Sequence, residues 1–302
     1  MSNKIKNILI RADSSSKIGI GHIMRDLVLV KQYSNSNITF ACQELDGNIN
    51  SKAIESGYNL KILNSNDVEE LDDLIKSLNI DFLIIDHYGI DEIFEKQLKI
   101  QNLKLKILSF DDTYEKHYCD ILLNHNIYAQ EKKYKDLVPD TCELRCGEKY
   151  ILIREEFKYY EQLRRNKSKN KKILIAFGGS DFDNISLKVL KSLKKKKDIK
   201  IYLLTTKANK NIKSLKSYIK GFENIKLIIN SKNVAKLIHK TDLAIVSPST
   251  ILHEIIYLNK EFIVIQTATN QKFMMKYLRN NKYACMKRFS KKSFLEKFEV
   301  KI

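Results

Sequence analysis

One histidine stands where side-chain chemistry is easy to build. His22 follows two glycines in the loop Gly19-Ile20-Gly21-His22, and an amphipathic stretch begins directly after it. Small residues let the backbone turn tightly and let a ligand approach its N–H groups, so Gly21 is a candidate binding residue. The positive end of a helix dipole disfavours imidazolium, and a neutral imidazole can accept a proton from water or a sugar hydroxyl. The motif predicts a general base; the alternative is a histidine that only caps or hydrogen-bonds the loop.

Three polar residues are candidates to act beside His22. Arg25 lies three residues along the same helix and either reaches a phosphate or carboxylate, or pairs with Asp26 or another surface acid. Asp13 ends the preceding strand and either orients His22, binds a sugar hydroxyl, or caps the loop backbone. Tyr88 follows a later strand and is a candidate sugar contact. Together these side chains predict a site for a polar, anionic substrate.

A second set of candidates lies at strand-to-helix turns in the second half of the chain. Paired glycines before a helix can present N–H donors to a pyrophosphate, and hydroxyl, carboxylate and amide groups can bind phosphate or ribose. These candidates are Gly179, Ser180, Ser249, Thr250, Glu254, Asn270 and Gln271. Their chemistry suits a nucleoside diphosphate.

Four of these turn residues can also serve an ordinary structural role. Glu254 either grips two vicinal ribose hydroxyls or supplies favourable charge to a first helical turn. Ser249 or Thr250 caps the same helix while offering a hydroxyl to phosphate. Asn270 either binds phosphate or the remote sugar, or serves as a helix cap.

The elements that must position these residues are alternating strands and helices. Short apolar runs separated by amphipathic stretches predict βαβ units and parallel sheets. The predicted strands are residues 5–13, 38–42, 60–63, 82–86, 105–110, 121–124, 171–177, 201–205, 225–229, 243–247 and 262–266. The pattern restarts after the charged stretch 156–170, a candidate linker or exposed connecting helix. We therefore expect an α/β protein of two Rossmann-like, doubly wound domains, 1–165 and 166–302, which face each other across a cleft.

Composition narrows the functional classes. The 302 residues are 43% hydrophobic and carry a formal net charge of +18, but lysines are spread along the chain and no nucleic-acid-binding motif occurs. Five scattered cysteines and the absence of an export signal or long apolar run predict a cytoplasmic protein without a membrane span, and we expect a monomer. Met24 replaces the third glycine of a dinucleotide fingerprint, which argues against nicotinamide or flavin. No metal-ligand spacing occurs, so we expect neither a metal nor another cofactor.

The motifs resemble those of a known family over nearly the whole chain. The run from Arg11 to Leu27, the turn Phe177-Gly-Gly-Ser-Asp181, the stretch from Ser249 to Glu254, and Asn270-Gln271 resemble the PseG hydrolases of pseudaminic acid biosynthesis. These enzymes hydrolyse UDP-2,4-diacetamido-2,4,6-trideoxy-β-L-altropyranose and have the GT-B fold. One departure is Ser247-Pro248-Ser249, where relatives commonly have more glycine.

The resemblance implies a reaction as well as a fold. The second half holds UDP, the first half presents the sugar, and His22 matches the catalytic histidine. His22 then deprotonates a water that attacks the anomeric carbon with inversion and releases UDP. A glycosyltransferase with a UDP-sugar donor is the nearest alternative, since fold and nucleotide site are shared. A UDP-sugar epimerase and a basic nucleic-acid-binding protein are weaker alternatives.

Overall fold

The computed structural model describes residues 7–164 and 170–302, and the chain divides into two compact units. The N-terminal unit is Met1–Leu152 and the C-terminal unit is Ile153–Ile302. The predicted domain boundary, between residues 165 and 166, lies outside the described residues. The units divide before it because the segment after Leu152 forms a helix, Glu155–Glu161, that packs against helices of the C-terminal unit. The cleft expected between the domains stays a prediction.

The N-terminal unit is a seven-stranded parallel sheet with helices in its connections. Its strands are β1 (Asn7–Ala12), β2 (Asn37–Gln43), β3 (Asn59–Leu63), β4 (Phe82–Asp86), β5 (Lys106–Phe110), β6 (Ile121–Asn124) and β7 (Glu143–Cys146). Its α-helices are α1 (Gly21–Leu29), α2 (Ser51–Glu55), α3 (Val68–Ser77) and α4 (Glu92–Gln101), joined by 3-10 turns at Val30–Tyr33, Glu131–Tyr134 and Glu148–Tyr150. The strand order is β3-β2-β1-β4-β5-β6-β7, so the order reverses between β1 and β4.

The C-terminal unit repeats this plan with six parallel strands. Its strands are β8 (Lys172–Ala176), β9 (Lys200–Thr205), β10 (Ile225–Ile229), β11 (Leu243–Val246), β12 (Glu261–Ile265) and β13 (Cys285–Met286). Its helices are α5 (Glu155–Glu161), α6 (Ile185–Leu193), α7 (Ile212–Ile219), α8 (Val234–His239), α9 (Thr250–Tyr257), α10 (Lys272–Asn280) and α11 (Lys291–Lys301), with a 3-10 turn at Thr269–Gln271. The strand order β10-β9-β8-β11-β12-β13 reverses between β8 and β11.

Buried strands explain why the sequence could predict this architecture. In β1, Ile8 and Ile10 pack into one apolar cluster, while Leu9 faces a second cluster on the other side of the sheet. A parallel sheet covered on both faces therefore reads as a continuous apolar run. The eleven predicted strands are all present, although residues 5 and 6 of the first lie outside the described part. Strands β7 and β13 were missed because β7 is half-exposed and polar and β13 has only two residues.

Each reversal of strand order marks a place where a ligand can approach. At such a switch point the connections leave toward opposite faces of the sheet, and a crevice opens beyond the carboxyl ends of the two strands. In the N-terminal unit this point lies beyond Ala12 and Asp86, and in the C-terminal unit beyond Ala176 and Val246. The predicted site residues follow these strand ends.

Candidate active site

The loop after β1 is a tight hairpin that delivers His22 to the start of α1. Ser15 and Gly19 exchange two backbone hydrogen bonds, of 3.2 and 2.8 Å, and Ser15 Oγ accepts a third from the Ile18 N–H at 2.9 Å. Gly19 has a φ of 91°, a left-handed conformation that glycine adopts without steric cost. Helix α1 begins at Gly21, so His22 is its second residue, and the histidine is only 5% exposed.

His22 shares its buried position with a carboxylate from the end of β4. His22 Nδ1 lies 2.6 Å from Asp86 Oδ1, and Asp86 is 1% exposed. Burial raises the pKa of Asp86, but the charges of Arg25 and His22 and their hydrogen bonds more than offset this and hold it well below its usual range. The ionised carboxylate accepts the Nδ1–H, which leaves the Nε2 lone pair as the proton acceptor. This is the geometry of a histidine base whose tautomer is fixed by an acid.

Arg25 is the centre of the same cluster rather than a free cation. Its Nε and Nη2 donate to the two oxygens of Asp86 at 2.6 and 2.5 Å, and its Nη1 donates to Asp112 at 2.9 and 3.1 Å. All three nitrogens therefore bind protein carboxylates. Of the two predicted alternatives, the geometry favours pairing, although the partners are buried acids and not Asp26 or a surface acid. Arg25 neutralises these two acids, and the expected contact with substrate phosphate has no support in this arrangement.

Tyr88 is the exposed neighbour of the buried histidine. Its ring packs edge-on against His22, with centroids 4.9 Å apart, while its hydroxyl donates to Asp112 Oδ2 at 2.8 Å. Burial raises the pKa of Asp112, but the charges of Arg25 and His125 and the Tyr88 hydrogen bond together lower it to about 2, so this acceptor is ionised. Tyr88 is 55% exposed, which leaves much of the ring available to a ligand. Its role as a sugar contact remains a prediction.

Asp13 lies at the expected strand end but binds other partners. Its two oxygens accept hydrogen bonds from Arg11 Nη1 and Nη2, from the Gln43 N–H and from His87 Nε2. These four donors fill all four acceptor sites of a carboxylate. The hypothesis that Asp13 orients His22 is corrected by this geometry, since Asp86 is the partner of His22, while a contact of Asp13 with a sugar hydroxyl stays a prediction. Asp13 instead joins β1 to the end of β2 and to the loop after β4.

Protein side chains already occupy part of the turn at Gly178 and Gly179 in the C-terminal unit. Gly178 has a φ of 72°, and the Gly179 carbonyl accepts a hydrogen bond from Thr206 Oγ1 at 3.0 Å. Asp181 then accepts from two N–H groups in the first turn of α6, at 2.8 and 3.0 Å. The carboxylate of Asp181 thus takes the place that an anionic ligand would need at this helix. The phosphate cradle predicted here is reduced to the backbone of Gly179 and Ser180.

Helix α9 has a more open N-terminus. Ser249 is its N-cap residue, as predicted, but its side chain makes no capping hydrogen bond and its Oγ lies 3.2 Å from Ser247 Oγ. The first turn, which begins at Thr250, carries no acidic residue. The first N–H groups of a helix have no intrahelical acceptor, so this end attracts an anion. Among the predicted phosphate contacts, Ser249 and Thr250 are therefore the best placed.

Glu254 lies further along α9 and is held by an arginine. Arg154 Nε and Nη2 donate to the two carboxylate oxygens at 2.5 and 2.9 Å, and Glu254 is 3% exposed. The alternative in which Glu254 supplies charge to the first helical turn is wrong, because the residue lies beyond that turn. Its role at the ribose remains a prediction.

The last two candidates belong to the turn before α10. Gln271 Oε1 accepts from the N–H groups of Thr267 and Ala268 at 2.8 and 3.0 Å, so its amide closes the turn after β12. Asn270 is exposed in the same 3-10 turn, and α10 begins after it at Lys272. The structure thus gives Gln271 a structural role and leaves Asn270 as a candidate ligand contact.

The sequence did not single out three residues that organise the sites. Asp86 orients the histidine, Asp112 anchors Tyr88 and Arg25, and Arg154 binds Glu254. A signal existed for the two aspartates, since each follows or ends a buried strand on the edge that carries His22. No local pattern pointed to Arg154, which is 100 positions from its partner.

Neither a metal site nor a membrane helix emerges from the described residues. Within 7–164 and 170–302, no three His, Cys, Asp or Glu side chains are grouped so as to hold a metal ion. Within the same ranges, no helix is long and apolar enough to cross a membrane.

Comparisons with known proteins place the chain in a family. No protein-family model matches it. It is 43% identical over 276 residues to the UDP-2,4-diacetamido-2,4,6-trideoxy-β-L-altropyranose hydrolase of Campylobacter jejuni subsp. jejuni, which covers 91% of this chain and 97% of that protein. Similar solved structures are MurG from Acinetobacter baumannii, with a TM-score of 0.64 and 10% identity over 98% of this chain and 90% of that one, and spinosyn rhamnosyltransferase SpnG, with a TM-score of 0.68 and 9% identity over 98% and 91%.

The two kinds of likeness support different conclusions. The structural neighbours, both below 25% identity, show the fold alone, and they confirm the predicted GT-B class. The sequence relative matches over almost the full length of both proteins. The chain therefore belongs to the family of UDP-2,4-diacetamido-2,4,6-trideoxy-β-L-altropyranose hydrolases.

Proposed function

We propose that this protein hydrolyses UDP-2,4-diacetamido-2,4,6-trideoxy-β-L-altropyranose to UDP and the free diacetamido sugar. The observation that carries the proposal is the 43% identity to a hydrolase of that name over 91% of the chain. The buried pair of His22 and Asp86 supports it chemically, because hydrolysis needs a base that can activate water.

In the proposed reaction, His22 Nε2 removes a proton from water as the water oxygen attacks the anomeric carbon. The bond between that carbon and the diphosphate oxygen breaks, its electron pair leaves with UDP, and the configuration at the carbon inverts. Asp86 holds the Nδ1–H of the imidazolium that forms, and Arg25 keeps Asp86 ionised. The proton then passes from His22 to solvent.

The C-terminal unit is proposed to bind the nucleotide. The uncapped N-terminus of α9, at Ser249 and Thr250, suits the diphosphate, and backbone N–H groups at Gly179 and Ser180 can add donors. Glu254 suits the ribose hydroxyls, and Asn270 is a further candidate contact. Helix-end and backbone donors would stabilise departing UDP without a required metal.

The cellular location, the oligomeric state and the binding partners are also proposals. We propose a cytoplasmic monomer that binds its UDP-sugar and no nucleic acid. The five cysteines are free thiols, which suits a reducing compartment. Size-exclusion chromatography with light scattering, run over a range of protein concentrations, tests the monomer.

The decisive experiment supplies the UDP-sugar in 18O-labelled water with no acceptor present. Release of UDP with the label on the sugar, together with an initial product of inverted anomeric configuration by NMR, is the expected result. Label on UDP would mean cleavage at phosphorus and would refute the proposed attack. UDP release that requires an added acceptor would instead support the glycosyltransferase alternative, and interconversion of UDP-sugars would support the epimerase.

Replacement of His22 tests the base. His22→Ala or His22→Asn should bind UDP as the unaltered protein does but lose about 10²–10⁴-fold in turnover, the usual contribution of a general base. Near-normal turnover in either variant would refute the assignment.

A further inference from the structure

Glu254 forms an ion pair with Arg154 that a ribose contact alone would not require. Its carboxylate is bound side-on by Arg154, with one nitrogen on each oxygen at 2.5 and 2.9 Å. Arg154 is itself fixed, since its Nη1 lies 2.9 Å from Glu156 Oε1 and its guanidinium carbon lies 4.9 Å from the Phe157 ring centroid. Phe157 is fully buried. The arginine is therefore a rigid partner held by α5.

This pairing leaves Glu254 able to accept further hydrogen bonds. A carboxylate has about four acceptor sites, and Arg154 uses one on each oxygen. One site on each oxygen remains, which matches two vicinal hydroxyls. Because a side-on guanidinium fixes the carboxylate plane, the direction of the two remaining sites is fixed as well.

Burial makes this partner necessary. Burial raises the pKa of Glu254 above its ordinary value, and the charge and hydrogen bonds of Arg154 limit that rise without reversing it. Without a neighbouring cation, a glutamate that is 3% exposed would tend to hold a proton. A protonated carboxyl offers fewer acceptor sites and turns one oxygen into a donor.

We infer that Arg154 is a positioning residue for ribose recognition, which holds the Glu254 carboxylate ionised and oriented so that its two remaining acceptor sites meet the ribose hydroxyls. The inference rests on the proposed function of Glu254. It assigns nucleotide selectivity to a residue at the beginning of the C-terminal unit that touches no part of the nucleotide itself.

The test compares binding of UDP and 2′-deoxy-UDP by calorimetry. The unaltered protein should prefer UDP by roughly tenfold or more, the usual contribution of a hydrogen bond to a charged group. Arg154→Gln should abolish most of this preference while changing the affinity for 2′-deoxy-UDP little. In this variant UDP binding should also weaken as the pH falls below neutral, whereas binding by the unaltered protein should change less.

A matched control is available in the N-terminal unit. Arg145 binds Glu143 in the same side-on manner, at 2.7 and 3.2 Å, so Arg145→Gln removes a more exposed ion pair of the same geometry and should leave the UDP preference intact. Arg154→Lys keeps the charge without the two-point geometry and should retain only part of the preference. If Arg154→Gln does not fold, Arg154→Lys still tests whether Arg154 positions Glu254.

The outcomes separate the two assignments. If the unaltered protein binds UDP and 2′-deoxy-UDP equally, the proposed role of Glu254 fails. If it prefers UDP and the Arg154 variants keep the full preference, Glu254 stands and the positioning role of Arg154 is overturned.

Discussion

His22 Nδ1 and Asp86 Oδ1 lie 2.6 Å apart, although 64 positions separate the two residues in the chain. The first residue comes from the start of α1 and the second from the last position of β4. Strands β1 and β4 are neighbours in the sheet, with Ala12 opposite Asp86, so the loop after β1 returns over the end of β4. The switch in strand order thus brings His22 and Asp86 together.

Asp86→Asn should inactivate the enzyme while leaving nucleotide binding intact. The amide that replaces the carboxylate can donate to Nδ1, which favours the tautomer with its proton on Nε2 and removes the base. We expect turnover to fall by about 10²–10⁴-fold, with an unchanged dissociation constant for UDP. Asp81→Asn, directly before the same strand, is the matched control and should keep normal turnover. Substantial activity in Asp86→Asn would refute the dyad.

Asp26 should be neutral in the folded protein. It is fully buried, and neither carboxyl oxygen meets a hydrogen-bond partner within residues 7–164 and 170–302. Burial, followed by the negative charge of Asp86, raises its pKa well above the ordinary value. Because the folded-state pKa is raised, the protonated carboxyl contributes stability to the folded protein. This contribution is fully present below the unfolded-state pKa and is lost as the pH rises through the folded-state pKa.

Asp26→Asn should therefore be tolerated at neutral pH. It should also remove the contribution of Asp26 to the pH dependence of the free energy of unfolding. The urea midpoints of the variant and of the unaltered protein are measured over a range of pH. The midpoint of the variant should increase relative to that of the unaltered protein as the pH rises. Asp73→Asn, an exposed change on α3, serves as the control and should show no such trend. A loss of about 3 kcal/mol or more at neutral pH would show instead that Asp26 is ionised and paired.

Gly47 should be needed to hold the His22 loop in place. It has a φ of 74°, and a Cβ placed there would collide with Ser16 Oγ and lie 3.1 Å from the Ser16 nitrogen. The Ser16 N–H donates to the Asp46 carbonyl at 2.8 Å, so a shift at Gly47 displaces the loop before His22. Gly47→Ala should lower turnover as well as stability.

Gly57→Ala isolates the effect of that collision. Gly57 also has a positive φ, of 86°, but a Cβ there would meet nothing within 4 Å. This variant should lose about 1–2 kcal/mol from backbone strain alone and keep normal turnover. Steady-state kinetics and thermal melting of both variants make the comparison, and equal turnover in the two would show that loop displacement has no catalytic effect.

Ser249→Asp should stabilise the protein and weaken nucleotide binding. An acidic side chain at the uncapped start of α9 can accept from the first N–H groups and interacts favourably with the helix dipole, by about 0.3–1 kcal/mol. The same charge repels a diphosphate, and we expect at least roughly a tenfold rise in the dissociation constant for UDP. Ser290→Asp makes the equivalent change at the uncapped start of α11 and should stabilise without affecting UDP. Equal UDP affinity in both variants would refute the proposal that the diphosphate binds at the N-terminus of α9.

The sequence by itself determined the architecture and the position of the candidate base. Continuous apolar runs such as residues 82–86 and 243–247 marked strands buried on both faces, and the restart after the charged segment marked the second unit. His22 and Ser249 could be found because each stands at a strand-to-helix turn, where local chain geometry places a side chain at the edge of a parallel sheet. These signals are local in sequence, so no contact had to be known.

Only the tertiary structure decided which polar side chains bind one another. On sequence grounds Asp13 was a candidate partner for His22, yet its acceptor sites are filled by Arg11, Gln43 and His87. Arg25 and Glu254 looked free to bind substrate, but buried carboxylates and Arg154 bind them. The physical reason is that a buried charge must find its counter-charge wherever the fold brings one within about 3 Å, and sheet order, not sequence distance, sets which residues those are.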